Sequence, residues 1–204
     1  MFVDREDVGG IGTKLDKLAT SGEAIEAAKL NWNVVQQPVY TQNFLGEMAK
    51  VENKLAVVRQ DTGEVFNVLG SKYQPVQNKD AFAFFDNVVS AGEAVYDVAG
   101  SLDGGKRVWI LAKLNGEIEV VKGDVNIPYV LLVNSHDGTS ALTMINTFIR
   151  GICSNTIQVA FGENSRRGGV TFYARHTVKV LDRAIQAREL LSLTAEYNKN
   201  FKTV

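Results

Sequence analysis

Short runs of β-branched and aromatic residues, each closed by a turn signal, set the first limit on what this chain can fold into. Leu55-Ala56-Val57-Val58-Arg59 and Val65-Phe66-Asn67-Val68-Leu69 flank Asp61-Thr62-Gly63, which predicts a β-hairpin. Val95-Tyr96-Asp97-Val98-Ala99 and Val108-Trp109-Ile110-Leu111-Ala112 flank Asp103-Gly104-Gly105-Lys106-Arg107 and predict a second. Tyr129 to Val133 is expected to pair with Ala141 to Ile145 across Ser135-His136-Asp137-Gly138-Thr139. Ile118-Val120-Val121 alternates with charge, and Val170 to Arg175 reads as a last strand.

Helical spacing is expected between and around these strands. Ser21 reads as an N-cap for Glu23 to Leu30, and a second short helix is expected around Thr41 to Met48, with Pro38 ending any helix before Tyr40. Asn78 caps a run through Phe82, Phe85 and Val88 that is apolar around much of its girth and so belongs to the core. Ile149 to Phe161 is a further helix carrying Cys153, followed by a loop at Ser165-Arg166-Arg167-Gly168-Gly169. His176 to Phe201 shows an amphipathic stripe of Val178, Leu181, Ile185, Leu190 and Leu191. The pattern predicts an α+β fold, with antiparallel β-hairpins forming a curved sheet backed by helices and a long C-terminal helix. Its expected divisions are a flexible leader over 1–20, a helical flank over 21–49, a core domain over 50–175 and the C-terminal helix over 176–204.

Charge narrows the function classes. Residues 1–149 carry 13 Lys and Arg against 19 Asp and Glu, whereas residues 150–204 carry 9 against 4. The formal net charge of −1 excludes a surface basic all over, of the kind that grips duplex DNA, but not a local patch. An acidic body with a basic C-terminal quarter fits an anionic partner, head-to-tail contact between subunits, or simply a solvated basic face. No apolar run approaches the roughly 18 residues of a membrane span. Met1 to Asp7 is acidic without an apolar stretch, so no secretory signal is expected there and a cytoplasmic setting is.

Enzyme chemistry finds little purchase. Cys153 is the single cysteine and sits in the apolar run Ile149-Arg150-Gly151-Ile152-Cys153, which favours an inert buried thiol over a nucleophile served by His136 or His176 with Asn155. His136, Asp137 and His176 lack a metal-ligand spacing, and neither a phosphate-cradling GxxxxGK[ST] nor a GxGxxG following a strand is present. His136-Asp137-Gly138 has the character of a tight polar turn. The expectation is a protein that is not an enzyme and takes no cofactor and no metal.

Binding is better supplied. Arg150, Arg166, Arg167, Arg175, Lys179 and Arg183 fall within 34 positions, and Gly168-Gly169 lets backbone approach a phosphate closely. Phe161, Phe172 and Tyr173 lie in the same region, and strand alternation makes Tyr173 the exposed candidate if Phe172 is core. Basic residues interleaved with aromatics are the means by which single-stranded nucleic acid is held. Arg150, Arg166, Arg167 and Arg175 are therefore candidates to neutralise phosphates, Lys106 and Arg107 to extend the groove, and Tyr173 to stack on a base.

A set of motifs is shared with a known family. Trp32-Asn33-Val34 with Pro38-Val39-Tyr40, Arg59-Gln60-Asp61-Thr62-Gly63-Glu64 and Gly70-Ser71-Lys72-Tyr73-Gln74-Pro75-Val76-Gln77-Asn78 open it. Gly104-Gly105-Lys106-Arg107-Val108-Trp109, Asn134-Ser135-His136-Asp137-Gly138-Thr139, Ile149 to Thr156 and Arg175-His176-Thr177 complete it. Over about residues 20–190 the chain resembles the phage/plasmid-like protein family catalogued as a domain of unknown function. The resemblance implies a mobile element in a bacterial host cytoplasm. At the level of fold, hairpins preceding a helix are also similar to the single-strand annealing proteins of phages, which form rings or filaments around single-stranded DNA. The expected function is ATP-independent binding and annealing of single-stranded DNA in recombination or replication, by a homo-oligomer without membrane contact. The alternative is a non-enzymatic mobile-element protein that binds a host or phage protein in an assembly or inhibitor role.

Overall fold

The computed structural model describes residues 12–15, 20–88, 94–115, 118–121, 124–148 and 170–177. Local chemistry starts the chain at α1 (Ser21–Ala27). The Thr20 hydroxyl accepts the Glu23 N–H, and the Glu23 carboxylate accepts the Thr20 N–H at 2.7 Å. This reciprocal cap satisfies two donors that a helix start leaves open. Asp86, in α2 (Asn78–Val88), accepts from the Ser21 backbone N–H and hydroxyl and from the Tyr96 hydroxyl. One carboxylate thus ties both helices to β5 (Ala94–Leu102).

The remaining elements are strands: β1 (Thr13–Lys14), β2 (Val34–Gln42), β3 (Met48–Arg59), β4 (Val65–Gly70), β6 (Arg107–Leu114), β7 (Ile118–Val121), β8 (Asp124–Asn126), β9 (Pro128–Ser135), β10 (Leu142–Phe148) and β11 (Val170–Ala174). Five of them and β5 form a six-stranded antiparallel sheet in the order β1-β5-β6-β9-β10-β11. β2, β3 and β4 form a second antiparallel sheet, and β7 pairs with β8.

Both faces of the large sheet are buried, which is why β9 reads as a continuous apolar run rather than an alternation. On one face Val108, Ile110, Val130, Leu132, Leu142 and Met144 share a core with Phe82 and Phe85 of α2, Ala24 and Ile25 of α1, and Val34, Val57 and Phe66 of the second sheet. On the other face Val98, Trp109, Leu111, Tyr129, Leu131, Val133 and Ile145 form a separate cluster. Gly12 lies over Trp109 so closely that a Cβ there would stand 2.7 Å from the indole Cη2.

These observations correct the expected α+β architecture. The described residues are mostly antiparallel sheet, with two α-helices of 7 and 11 residues, neither of them long. Helices do not back the sheet as a layer, because the second sheet supplies much of the apposed core. The long C-terminal helix is not supported, and the residues expected to form it beyond Thr177 lie outside those described. The helix expected over Thr41 to Met48 is instead the end of β2, a turn and the start of β3. Pro38 is accommodated because β2 is an edge strand, where a missing N–H breaks no ladder. Within the segment read as a leader, Thr13–Lys14 pair with Val98 and Ala99 of β5. The hairpins of β3 with β4, β5 with β6, and β9 with β10 stand in the expected places. The helix expected at Ile149 to Phe161, with Cys153, and the loop at 165–169 lie outside the described residues.

One backbone position holds the two sheets at their observed separation. Gly105, in the 3₁₀ turn Asp103–Gly105, has φ 107°, and a Cβ there would lie 2.8 Å from Cζ2 of Trp32. Gly105→Ala is expected to lower stability by roughly 1–3 kcal/mol through strained backbone and the displaced indole. Gly70→Ala, which meets nothing within 4 Å, should stay within about 0.5 kcal/mol of the parent. Urea unfolding of the two variants checks the pair, and equal midpoints would exclude this role for Gly105.

Candidate functional site

One end of the large sheet gathers the polar residues of interest. There β6 begins, β9 ends, β10 begins and β11 ends, and the loop Ser135–Ser140 joins β9 to β10. Strand alternation divides the end into two sides. Asn134 and His136 point toward the second sheet, and Ser135 and Asp137 point away from it.

On the inner side, the His136 ring stands edge-on to Trp32 at a centroid distance of 5.3 Å and stacks on Phe66 at 6.1 Å. Its Nε2 lies 2.8 Å from Oδ1 of Asn78. The Asn78 amide nitrogen donates to the Leu30 carbonyl, so its oxygen faces the imidazole and Nε2 is the donor. His136 is fully buried, and burial, with the nearby His176 adding to it, pushes its pKa down to about 3 against the pull of Asp137. A neutral ring walled in by Trp32, Phe66 and Asn78 is not placed to act as a base on a substrate. His176 stacks on Tyr73 at 5.2 Å, and among the described residues neither of its ring nitrogens has a hydrogen-bond partner. Burial lowers its pKa to about 4, against the Gln74 backbone and the Asp137 charge. The Tyr73 hydroxyl donates to the Ser135 carbonyl, and burial, followed by the Asp137 charge, raises its pKa.

Arg59 closes this side. Its guanidinium lies 4.5 Å over the Trp32 ring, donates from Nη1 to the Gly104 carbonyl at 3.0 Å and pairs with Asp61 through Nε at 2.7 Å.

On the outer side, the Asp137 carboxylate accepts from the Ser135 hydroxyl at 2.5 Å, the Thr139 hydroxyl at 2.6 Å and the Thr139 N–H at 3.0 Å. Burial opposes its charge, but these donors and the Arg107 charge outweigh it and hold the carboxyl below the usual range. The loop is therefore a closed hydrogen-bonded unit around a fixed negative charge.

The strand register shows what becomes of the sequence candidates. Gly100, Trp109, Val133, Thr143 and Tyr173 lie opposite one another across β5, β6, β9, β10 and β11. Two residues further along the same face stand Arg107, at the start of β6, and Arg175, just past β11. They are separated by three strand spacings, about 14 Å. Tyr173 and Arg175 are exposed on the edge strand, while Arg107 is half-buried, its Nη1 3.6 Å from Asp103. Lys106, half-buried in the turn before β6, accepts the His136 N–H at its carbonyl. Arg107, Tyr173 and Arg175 thus share one face at one end. Arg150, Arg166 and Arg167 lie outside the described residues, as do Lys179, Arg183 and Phe161. Among the described residues no group of three or more His, Cys, Asp or Glu could hold a metal ion, and no helix is long and apolar enough to cross a membrane.

Sequence reasoning missed the second role of this end, the burial of both histidines. The signal was the parity of the chain: His136 follows Val130, Leu132 and Asn134 on the inward positions of β9.

Residues 65–204 match the family model described as Domain of unknown function (DUF932). The chain belongs to this family. The match starts at the first residue of β4, so it takes in Arg107, His136, Asp137, Tyr173, Arg175 and His176 and leaves out α1, β2 and β3. No curated protein and no solved structure matches the chain.

The buried histidines of this DUF932 chain make stability pH-dependent with a defined sign. Unfolded, each titrates near 6.5; folded, His176 titrates near 4 and His136 near 3. The unfolded state binds more protons over that window, so stability falls on acidification from pH 6.5, by up to about 1.4 kcal/mol per pH unit for each ring. His176→Phe keeps the stack on Tyr73 and removes the proton site. It should be neutral or stabilising at pH 7 and should flatten the dependence between pH 6.5 and about 4.5. Urea titrations at several pH values check this, and an unchanged slope in the variant would exclude His176 as a source.

Proposed function

We propose that this DUF932 protein binds single-stranded DNA and anneals complementary strands without ATP, as a cytoplasmic component of a phage or plasmid in a bacterial host. The observation that supports this reading is the register that brings Arg107, Arg175 and exposed Tyr173 to one face at one end of the six-stranded sheet. Two cations in one row across the sheet end, with an aromatic two residues before Arg175 on the same face, suit a backbone crossing the strands and a base lying on the ring. The candidates Arg150, Arg166 and Arg167 belong to the same proposal, as continuations of the track between β10 and β11 in sequence. Lys106 extends it on the β6 side.

Counterion release would dominate such binding, so affinity for a labelled ~40-mer should fall steeply between low and moderate salt. Single strand should be preferred over the matching duplex, because stacking on Tyr173 needs an unpaired base. Arg175→Ala is expected to reduce the salt slope by about one charge, and Tyr173→Ala to weaken binding by about 1–3 kcal/mol at every salt concentration. Fluorescence anisotropy checks both variants. No binding at low salt would end the reading, and binding untouched by either substitution would move the site elsewhere.

A further inference from the structure

The hairpin joining β2 to β3 outruns its sheet. β4 pairs only with Lys54 to Val58 of β3, so Tyr40–Gln42 and Met48–Lys50 continue beyond it as a two-stranded arm. A register shift between Pro38 and Tyr40, with Asn53 at φ 58°, marks the place where arm and sheet part.

The tip of this arm is a built structure. The Asn43 side-chain oxygen accepts the N–H groups of Leu45 and Glu47, and its amide donates to the Glu47 carboxylate at 2.9 Å. The Gln42 amide donates to the Gly46 carbonyl, and Asn43 and Glu47 close the loop through their backbones. The polar groups are thus satisfied among themselves while the apolar side chains face solvent. Phe44 is 95% exposed, Leu45 67%, Met48 66% and Tyr40 53%. Tyr40 lies opposite Lys50 and Gln42 opposite Met48, so Tyr40 and Met48 share one face of the arm. An ordered tip loses little conformational entropy on docking.

We propose that this arm is the contact through which two copies of the chain pair, β2 edge to β2 edge across a two-fold axis. Charge selects among the occupants. From Val34 to Lys54 the charged residues are Glu47, Lys50, Glu52 and Lys54, a balance of zero. Nucleic acid and anionic lipid surfaces call for net positive charge at the contact, which the arm does not offer. β2 itself has no charged residue, although charge is the common device that keeps an edge strand from pairing. Its inner end is closed another way. The Gln77 side chain accepts the Val34 N–H and donates to the Val34 carbonyl, and Pro38 has no N–H to offer. The outer stretch from Val39 to Gln42 has neither device, and among the described residues no strand pairs with that edge. An isologous contact requires a surface complementary to itself, and an uncharged strand edge, with its alternating N–H and C=O groups, satisfies that condition.

Sedimentation equilibrium of the purified full chain, without nucleic acid, tests the pairing. The parent should show a monomer–dimer equilibrium in the micromolar range. Phe44→Asp with Leu45→Asp should weaken it by at least about a hundredfold, from the apolar area lost. Thr41→Lys, which charges the open edge, should weaken it by about tenfold. All three positions are exposed, so circular dichroism and the thermal midpoint of the variants should match the parent. A parent that stays monomeric at every concentration overturns the proposal, as does a dimer that ignores both variants. Loss of capture of another protein, or of retention on vesicles, by the tip variants of a monomeric parent would give the stripe to that occupant instead.

Discussion

The contact between Trp32 and His136 fixes how the two sheets meet. Trp32 lies between them, with His136 of the large sheet on one edge, Phe66 of the small sheet on another, Arg59 over its face and the backbone of Gly105 against its ring. Apolar burial alone is non-directional and would let one sheet slide over the other. Direction comes from the polar groups around the indole. Asn78 holds the His136 ring at Nε2 while its own amide is held by Leu30, and Arg59 reaches past Trp32 to the Gly104 carbonyl. Removing the Asn78 side chain would leave the buried His136 Nε2 and Leu30 carbonyl unpaired, and that penalty exceeds the net gain of a typical hydrogen bond.

That inner contact also determines what the outer side presents. Because successive residues of a strand face opposite ways, holding His136 inward sends Ser135 and Asp137 outward, toward Arg107. Asp137 is then secured by Ser135 and Thr139, which makes the β9–β10 loop a rigid end to the sheet. Tyr173 and Arg175, on the edge strand, inherit their height from the β10–β11 register. The position of a surface side chain on β11 is therefore traceable, through β10 and β9, to an imidazole that never meets solvent.

Much of the sheet was legible because its hairpins announce themselves locally. Asp61-Thr62-Gly63 and Asp103-Gly104-Gly105 turn the chain with glycines at positive φ, and both were readable as turns between apolar runs. β2 was not legible. Its apolar residues are diluted by Gln36, Gln37 and Gln42, and Pro38 argues against a strand unless the strand is known to be an edge. The first half of β3 failed for a related reason: Met48 to Asn53 bury little, so no face of the arm carries a clean alternation. Among the site candidates, Arg107, Tyr173 and Arg175 were nominated by residue type, but only long-range register could show that they share a face. His136 and Asp137 were read as a polar turn from the Asp-Gly signal. The turn is real, with Gly138 at φ 75°, yet whether a turn histidine points to water or into a core depends on a second sheet distant in sequence.

The two arginines at the sheet end are not equivalent partners for an anion. Arg107 already sits beside Asp103 and close enough to Asp137 to lower its pKa, so a phosphate meeting it must compete with two carboxylates. Asp103 is exposed and readily displaced, whereas Asp137 is buried and held by three donors. Arg175 stands in solvent on the edge strand with Tyr173 two residues before it on the same face. For an anionic strand, first capture would therefore fall to the β11 edge, with Arg107 serving to orient what has already bound. Arg107 and Arg175 would then differ in kind as variants: loss of Arg175 slows association and is sensitive to salt, whereas loss of Arg107 also frees Asp137 from its compensating charge and adds repulsion at the same site.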